Sequence, residues 1–350
     1  MQSPKYVKTS LAAAMTLGLK EGVFYREAKL KALNLLLTYE QGCAANCAYC
    51  GLARSRSGTP TFIRVTWPVY PLKEVIERSL LVTDQVQRVC VSMITHPRAL
   101  EDLCRVIQEV KASTPYPVSA LITPTLVNSV TALEQIRTSG ADRVGIAIDA
   151  ATEVLFDRHR GHGVQGPHSW NRYWQGVREA VAVFGEKQVG IHLVVGLGET
   201  EAEMVQVIQR AEDLGAETHL FSFYPEAGSK LAGRPQPHLG HYRRVQLARY
   251  LINKGLTRGR YMQFNEYGQI INFGVSPSLL DQVINGGAPF LTSGCPGSDG
   301  TVACNRPYGN ERPSQPIRNF PFQPSPGDIL EIRTQLNQYE PPVDNEVKMA

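Results

Sequence analysis

The chain has 350 residues, of which 43% are hydrophobic and 19% charged, and its formal net charge is +4. This length accommodates two domains or one large α/β barrel, and the hydrophobic content suffices for an ordinary packed core. The mild positive charge does not predict nucleic-acid binding, which requires clustered lysine and arginine, but it is compatible with docking of small acidic proteins.

Two absences bear on location. No apolar run reaches the 18 residues of a transmembrane helix, so we expect no membrane association. The start of the chain, residues 1–5, lacks the charged-then-apolar order of a signal peptide. The chain has seven cysteines, an odd number with three in one tight loop, which is not typical of a secreted disulfide framework. We therefore expect a cytoplasmic protein.

Strand and helix patterns alternate along the chain. Buried strands are predicted over residues 33–38, 87–93, 117–122, 143–149, 189–195 and 217–223. The helices between and after them are predicted over residues 72–85, 100–111, 130–139, 170–184, 201–214 and 241–254. A further strand is expected at residues 261–264, and a short helix at 328–337 follows a stretch rich in glycine and proline.

This alternation predicts an α/β protein built from parallel βαβ units. Several such units in a row, without a dinucleotide-binding fingerprint, favour a complete or partial (βα)8 barrel of the TIM type. We divide the chain into a helical N-terminal extension (1–32), the barrel (33–275) and an irregular C-terminal segment (276–350).

Three cysteines follow the first predicted strand at the spacing C-x3-C-x2-C. They are Cys43, Cys47 and Cys50, and Tyr49 directly precedes the last of them. A four-iron cluster takes four ligands, so three thiolates leave one iron open for a small ligand. The alternative is a structural zinc loop, which needs a fourth cysteine or histidine nearby. The next such residue is His96.

The cysteine run resembles the signature of the radical S-adenosylmethionine (SAM) superfamily. The resemblance implies a 4Fe-4S cluster held by Cys43, Cys47 and Cys50, with SAM chelating the open iron, and it makes Tyr49 a neighbour of the adenine. Barrel enzymes carry their chemistry at the carboxyl ends of the strands. The loop follows the first strand directly, so the fold pattern and the motif agree.

Other positions match the family less closely. The segment 189–200 resembles the element that ends the fifth strand of radical SAM proteins, which implies that Gly196 and Glu199 lie near the adenine. Glu199 could instead be a charge at a helix N-terminus. The family's Gly-Gly-Glu motif on the second strand is absent, and Ser92 stands where the SAM amino group would be held.

Two further residues are candidates for SAM contacts by the same resemblance. Asp149 closes the fourth strand, where the family often has a polar residue that bonds the ribose hydroxyls; a helix cap is the alternative. Arg172 lies near the position of an arginine that binds the SAM carboxylate in related enzymes. The alternative for Arg172 is an ordinary solvated arginine.

The remaining cysteines form a second set. Cys104 lies in a predicted helix with apolar neighbours and suits packing. Cys295 and Cys304 lie in a loop rich in glycine and proline, which suits a metal, a disulfide or redox chemistry. Cys90 lies on the second strand in a run that resembles the auxiliary-cluster cysteine of biotin synthase, although the further ligands of that enzyme have no counterpart here.

The two-component lipoyl synthase is the family that the chain resembles best. The stretch 22–52 and the tail 304–313 carry this resemblance. It implies a radical SAM sulfurtransferase that inserts sulfur from an auxiliary 4Fe-4S cluster, held by Cys295, Cys304 and Cys90, into a C–H bond of a protein-bound octanoyl chain. It also implies an octanoylated lipoyl-carrier protein, a second lipoyl synthase subunit, and ferredoxin or flavodoxin as reductant.

Two other functions remain open at this point. The chain could be a radical SAM enzyme of the biotin-synthase-like group that acts on another small molecule without inserting sulfur. It could also be an iron–sulfur or zinc protein with a regulatory or scaffold role.

Overall fold

The computed structural model describes residues 1–62, 64–304 and 316–340. In this part of the chain the strands are Tyr6–Thr9 (β1), Ala32–Leu37 (β2), Val69–Pro71 (β3), Arg88–Ser92 (β4), Val118–Ile122 (β5), Ala141–Asp149 (β6), Val189–Val195 (β7), Glu217–Ser222 (β8), Gln263–Phe264 (β9) and Ile270–Asn272 (β10). The α-helices are Leu11–Thr16 (α1), Leu72–Ser79 (α2), Ala99–Ser113 (α3), Val130–Thr138 (α4), Glu153–Arg160 (α5), Trp170–Phe184 (α6), Glu201–Asp213 (α7), Leu239–Asn253 (α8), Pro277–Asn285 (α9) and Pro326–Leu336 (α10).

Eight strands form one sheet in the order β3-β1-β2-β4-β5-β6-β7-β8. β2 and β4 to β8 pair in parallel, each with the next, whereas β1 is antiparallel to both β2 and β3. Among the described strands no pairing joins β3 to β8, so the barrel is partial. The predicted α/β fold of parallel βαβ units is confirmed.

Both faces of this sheet are covered. β2 and β4 are buried at every position, as is typical of parallel strands enclosed on both sides. One face packs against the helices in the main hydrophobic core. The other face, called the inner face below, carries thiol, imidazole and hydroxyl side chains that meet in the interior.

Residues 1–32 contain a strand that the sequence did not predict. The expected helical extension is represented by α1, which Ser10 caps through its side chain. β1 precedes α1 and lies between β2 and β3 in the sheet. Its four residues are too short a run for a period-two pattern to be recognised.

The C-terminal segment is also more regular than expected. A helix that was not predicted, α9, begins at Pro277 behind the cap Ser276. The predicted helix near the end is present as α10, where Ser325 and Asp328 form a reciprocal capping box.

Helix α8 anchors this segment through a buried arginine. The Arg243 guanidinium donates to the carbonyls of Ile317 and Arg318 at 2.5 and 2.7 Å, and to Gln335 Oε1 at 2.9 Å. These bonds satisfy a charged group that is 1% exposed.

A second buried arginine, Arg244, joins α8 to α7. Its Nη2 lies 2.7 Å from Glu201 Oε1, and its Nη1 donates to the carbonyls of Leu336 and Gln338. The Glu201 carboxylate also accepts the backbone N–H of Ile270 at 2.7 Å. This carboxylate therefore links three segments that are distant in sequence.

Among the described helices, none combines the length and the apolar character that crossing a membrane requires.

We predict that Glu201→Gln destabilises the fold by about 3–5 kcal/mol, because it leaves the buried Arg244 charge without its partner. Denaturant-induced unfolding measures this loss. The control is Glu101→Gln, which breaks an exposed pair with Arg105 and should change stability by less than about 0.5 kcal/mol. Equal losses in the two variants would contradict the prediction.

Candidate functional site

The three motif cysteines lie in the loop that follows β2, residues 38–53. The Ala44 N–H donates to the Thr95 carbonyl, and the Ala48 N–H donates to the His159 carbonyl, both at 2.8 Å. Thr95 follows β4 and His159 belongs to α5. The cysteine loop is thus fixed to neighbouring elements at the carboxyl end of the sheet.

A cavity of about 210 Å³, called the first cavity, lies against this loop. Cys43, Cys47 and Cys50 line it together with Tyr49. Most of its remaining wall is apolar and consists of Leu52, Phe62, Met93, Ile94, Leu121, Ile122, Val194, Phe221 and Phe223. The thiols and an apolar space are therefore contiguous.

Cys47 and Cys50 of the motif have thiols with raised pKa values. Burial raises the pKa of Cys47, which the Arg160 guanidinium partly opposes. Burial also raises the pKa of Cys50 well above its usual value, and Cys47 and Cys43 raise it further. Metal binding to these sulfurs must therefore release protons.

Among the described residues, no three histidine, cysteine or carboxylate side chains converge on the position of a single metal ion. A structural zinc site requires such convergence. A cluster has several irons, so its ligands stand farther apart than those of one ion.

Tyr49, Asp149 and Arg160 form a buried polar chain at the cavity wall. The Tyr49 hydroxyl donates to Asp149 Oδ2 at 2.5 Å, and Arg160 Nη1 lies 3.1 Å from the same oxygen. Asp149 does not cap the next helix, because Thr152 caps α5. The structure thus places Asp149 in the cavity wall beside Tyr49, and their expected contacts with the ribose and the adenine of SAM stay predictions.

Arg172 is placed differently from the prediction. Its guanidinium pairs with Glu179 on the same helix, α6, and it does not line the first cavity. Arg160 lines the cavity instead. The resemblance indicated Arg172 because of its position along the chain. It gave no sign that Arg160, at the end of α5, is the arginine that lines the cavity.

Three further predicted residues support the site without lining it. The Glu199 carboxylate accepts the backbone N–H groups of Gly196 and Leu197 at 2.6 and 2.9 Å, and Gly196 has a φ of 109° that favours glycine. Ser92 is buried at the end of β4, and its neighbour Met93 lines the cavity. Gly196 and Glu199 therefore shape the loop after β7.

Sequence reasoning missed a second polar wall of the first cavity. His168 Nδ1 lies 2.7 Å from Thr125 Oγ1 and 3.1 Å from the Tyr173 hydroxyl, which is 2.7 Å from Thr123 Oγ1. Burial and, to a smaller extent, the Arg160 charge together lower the pKa of His168 to about 2, so the imidazole is neutral. No local motif marks these residues, which come from different segments.

The second cysteine set meets at a second cavity. Cys90 of β4 lines it with Cys295 and Cys304, which belong to the loop after residue 290. The free space there is about 20 Å³, roughly the volume of one water. The second cavity shares three lining residues with the first, namely Leu121, His192 and Phe221.

The loop that carries Cys295 and Cys304 is tied to the sheet. The buried Arg88 donates to the Pro296 carbonyl, and the backbone N–H of Cys304 donates to the Cys295 carbonyl at 3.1 Å. A Cβ at Gly294 would lie 2.6 Å from Cys304 Cβ, so glycine is required at this position.

Two guanidinium groups lie near these thiols. Burial raises the pKa of Cys295 to about 11, and Cys90 contributes to the rise, whereas Arg88 and Arg143 oppose it. Because Arg88 is itself paired with Asp142, these guanidinium groups only partly offset the burial that disfavours the Cys295 thiolate.

None of the seven cysteines, all of which belong to the described part of the chain, forms a disulfide. Cys104 is buried in α3, as expected for a packing residue. Residues 305–313 of the tail that resembles lipoyl synthase lie outside the described residues.

Comparison with known proteins agrees with this geometry. The model of the radical SAM superfamily matches residues 39–211. Similar solved structures include methylornithine synthase (PylB), with a TM-score of 0.50 and 16% identity over 69% of this chain and 66% of that one. Another is HydG, a maturase of the [FeFe]-hydrogenase, with a TM-score of 0.51 and 14% identity over 70% and 54%. No curated protein has significant similarity to the chain.

The chain belongs to the radical SAM superfamily. Membership implies an enzyme with a 4Fe-4S cluster and SAM. At these identities the solved structures show a shared fold only, and the chain spans somewhat less than two thirds of the first and about half of the second.

Beside Glu199, a histidine of α8 carries a raised pKa. His241 Nε2 lies 3.7 Å from Glu199 Oε1, and its Nδ1 lies 3.4 Å from Glu201 Oε1. Burial alone would lower the pKa of His241, but hydrogen bonds to the two carboxylates raise it to about 9.

We predict that stability falls as the pH rises towards 9. The folded pKa of His241 exceeds the ordinary value of 6.5, so its stabilisation is complete below about pH 6.5 and is lost as the pH passes about 9. The slope is at most about 1.4 kcal/mol per pH unit. His241→Gln should remove this component in denaturant unfolding measured across pH, and the exposed His162→Gln should retain it. An unchanged slope in His241→Gln would count against the assignment.

We predict that Arg160→Gln weakens SAM binding at least about tenfold, or 1.4 kcal/mol, because it leaves Asp149 and Tyr49 without the buried guanidinium. Arg172→Gln should change binding less than about twofold, within 0.5 kcal/mol, since Arg172 pairs away from the cavity. Calorimetry on the anaerobically reconstituted protein measures both. A larger loss in Arg172→Gln than in Arg160→Gln would restore the original assignment of the SAM carboxylate.

Proposed function

We propose that the protein is a radical SAM sulfurtransferase of the lipoyl synthase type. It would insert sulfur from an auxiliary iron–sulfur cluster into an unactivated C–H bond of a protein-bound octanoyl chain. One observation carries the proposal: two separate sets of three cysteines line two adjoining cavities, which share Leu121, His192 and Phe221.

The apolar wall of the first cavity supports an aliphatic substrate. Side chains such as Leu52, Phe62 and Val194 offer an alkyl chain dispersion contacts and no hydrogen bonds. A wall of this kind also excludes water, which protects a reactive carbon centre from side reactions. A substrate carbon held between the two cysteine sets would lie against Leu121, His192 and Phe221, which line both cavities.

When bound, the first cluster with SAM would supply the radical chemistry that breaks an unactivated C–H bond, and the auxiliary cluster would supply the sulfur. The chain's part is to bind the cofactors and the substrate and to exclude water. Cys43, Cys47 and Cys50 would hold the first cluster.

Cys90, Cys295 and Cys304 would hold the auxiliary cluster. The space of about 20 Å³ between them is smaller than a cluster, so cluster binding requires side-chain movement. Cys90 is fixed on a central strand, whereas Cys295 and Cys304 are half-buried in a loop without helix or strand. We expect this loop to move outward as the cluster forms.

The proposed partners follow from the same reaction. The substrate would arrive on an octanoylated lipoyl-carrier protein, and a second lipoyl synthase subunit would act with this chain. A low-potential ferredoxin or flavodoxin would supply electrons. The net charge of +4 suits acidic partners of this kind.

A second candidate function is a radical SAM reaction on another small molecule without sulfur insertion. The polar wall formed by His168, Thr123 and Tyr173 favours it, since a purely aliphatic substrate would leave that wall unused. The two candidates differ in whether a second cluster is present.

We predict that the variant Cys43→Ala/Cys47→Ala/Cys50→Ala retains about four irons per chain after anaerobic reconstitution, the content of one cluster. Adding Cys295→Ala and Cys304→Ala should remove them. Adding Cys104→Ala instead is the matched control and should have no effect. A triple variant that binds no iron would favour the candidate without sulfur insertion.

The product test uses an octanoyl-lysine peptide, SAM, a reductant and the presumed second subunit. The wild type should form a thiolated peptide detectable by mass spectrometry. Cys295→Ala should still form 5′-deoxyadenosine but no thiolated peptide, because it keeps the first cluster only. SAM cleavage without any thiolated product in the wild type would defeat the proposal.

A further inference from the structure

The second cavity lacks one cysteine for a full set of cluster ligands. Four-iron clusters take four ligands, and three cysteines line this cavity, so one position is left for another ligand. Its other side chains that could bind iron are Ser119, Ser293, His192 and His219. A side chain of the cavity that occupies the fourth position would have to be one of these.

His219 has an unused nitrogen in this interior. It lies on β8, in register with His192 on β7, and is 6% exposed. Its Nδ1 is buried and has no hydrogen-bond partner. Leaving a buried polar atom without a partner costs free energy, so such an atom in a native fold calls for an explanation.

The backbone of β7 leaves room for the His219 ring. A Cβ at Gly190 would lie 2.9 Å from His219 Nε2, so only glycine on β7 accommodates the imidazole. The next residue along the sheet, Gly145, pairs with Gly190 and lines the second cavity. Two paired glycines, Gly145 and Gly190, thus leave space for side chains on the inner face beside His219.

We propose that His219 is the fourth protein ligand of the auxiliary cluster, completing the set Cys90, Cys295 and Cys304. This inference rests on the proposed function, which supplies the cluster. A histidine in place of a cysteine raises the reduction potential of an iron–sulfur centre. It also removes one negative charge from the ligand set.

The other candidates have different surroundings. Ser119 Oγ is also buried without a hydrogen-bond partner, but imidazole is the known replacement for a cysteine ligand in iron–sulfur centres. Ser293 is half-buried in the same loop as Cys295. His192 lines both cavities, and its ring lies against Phe221 with a centroid separation of 5.2 Å. His192 is therefore the matched control: a histidine of the same layer that borders the substrate space.

The experiment uses the variant Cys43→Ala/Cys47→Ala/Cys50→Ala, which holds only the auxiliary cluster. After reduction, pulsed electron paramagnetic resonance should detect one strongly coupled ¹⁴N nucleus, replaced by ¹⁵N when histidine is labelled. Adding His219→Cys should abolish this coupling while iron content stays unchanged. Adding His192→Ala should leave the coupling in place.

The outcomes separate the two proposals. Bound iron without nitrogen coupling would overturn the role of His219 and leave the proposed function standing, and so would a coupling that survives His219→Cys. A spectrum altered by Ser119→Ala and unaltered by His219→Cys would assign the position to Ser119. No iron in the starting variant would instead overturn the proposed function. Because the first measurement uses intact His219, poor folding of a variant does not prevent the test.

Discussion

Parallel pairing of β2 with β4 to β8 determines where the candidate ligands on the strands, and the cysteine loop after β2, lie. In this arrangement alternate side chains of neighbouring strands share one face, and paired residues occupy the same layer. Cys90 pairs with Ser119, and His192 pairs with His219. The same pairing brings the loops after the strands to one edge of the sheet. One constraint therefore produces both a cysteine loop at the edge and a thiol–imidazole layer inside.

Buried arginines complement this arrangement. Arg88 holds the loop of the second cysteine set, and Arg160 joins Asp149 and Tyr49 beside the first. A buried guanidinium is stable only when anions or carbonyl oxygens surround it. Each cysteine set thus has a buried guanidinium group, itself paired with an aspartate, within its supporting structure. We infer that these charges help to accommodate anionic thiolates and clusters in an interior with little water.

Much of the fold and part of the site could be predicted from the sequence. Long buried strands such as residues 189–195 have a clear apolar pattern, and the C-x3-C-x2-C spacing is local. Short strands such as β1 lack a pattern long enough to read. The contacts of Arg160 and His168 depend on segments far apart in sequence, and the meeting of Cys90 with Cys295 depends on a loop that crosses the inner face. Such contacts require the tertiary structure.

The central claim is that two clusters occupy one continuous interior. Anomalous diffraction at the iron edge, from crystals of the anaerobically reconstituted protein, measures this most directly. The account predicts two separate peaks of iron density, one bordered by Cys43, Cys47 and Cys50 and the other by Cys90, Cys295 and Cys304. A single peak at the first set, in crystals where the protein is fully loaded, would contradict it.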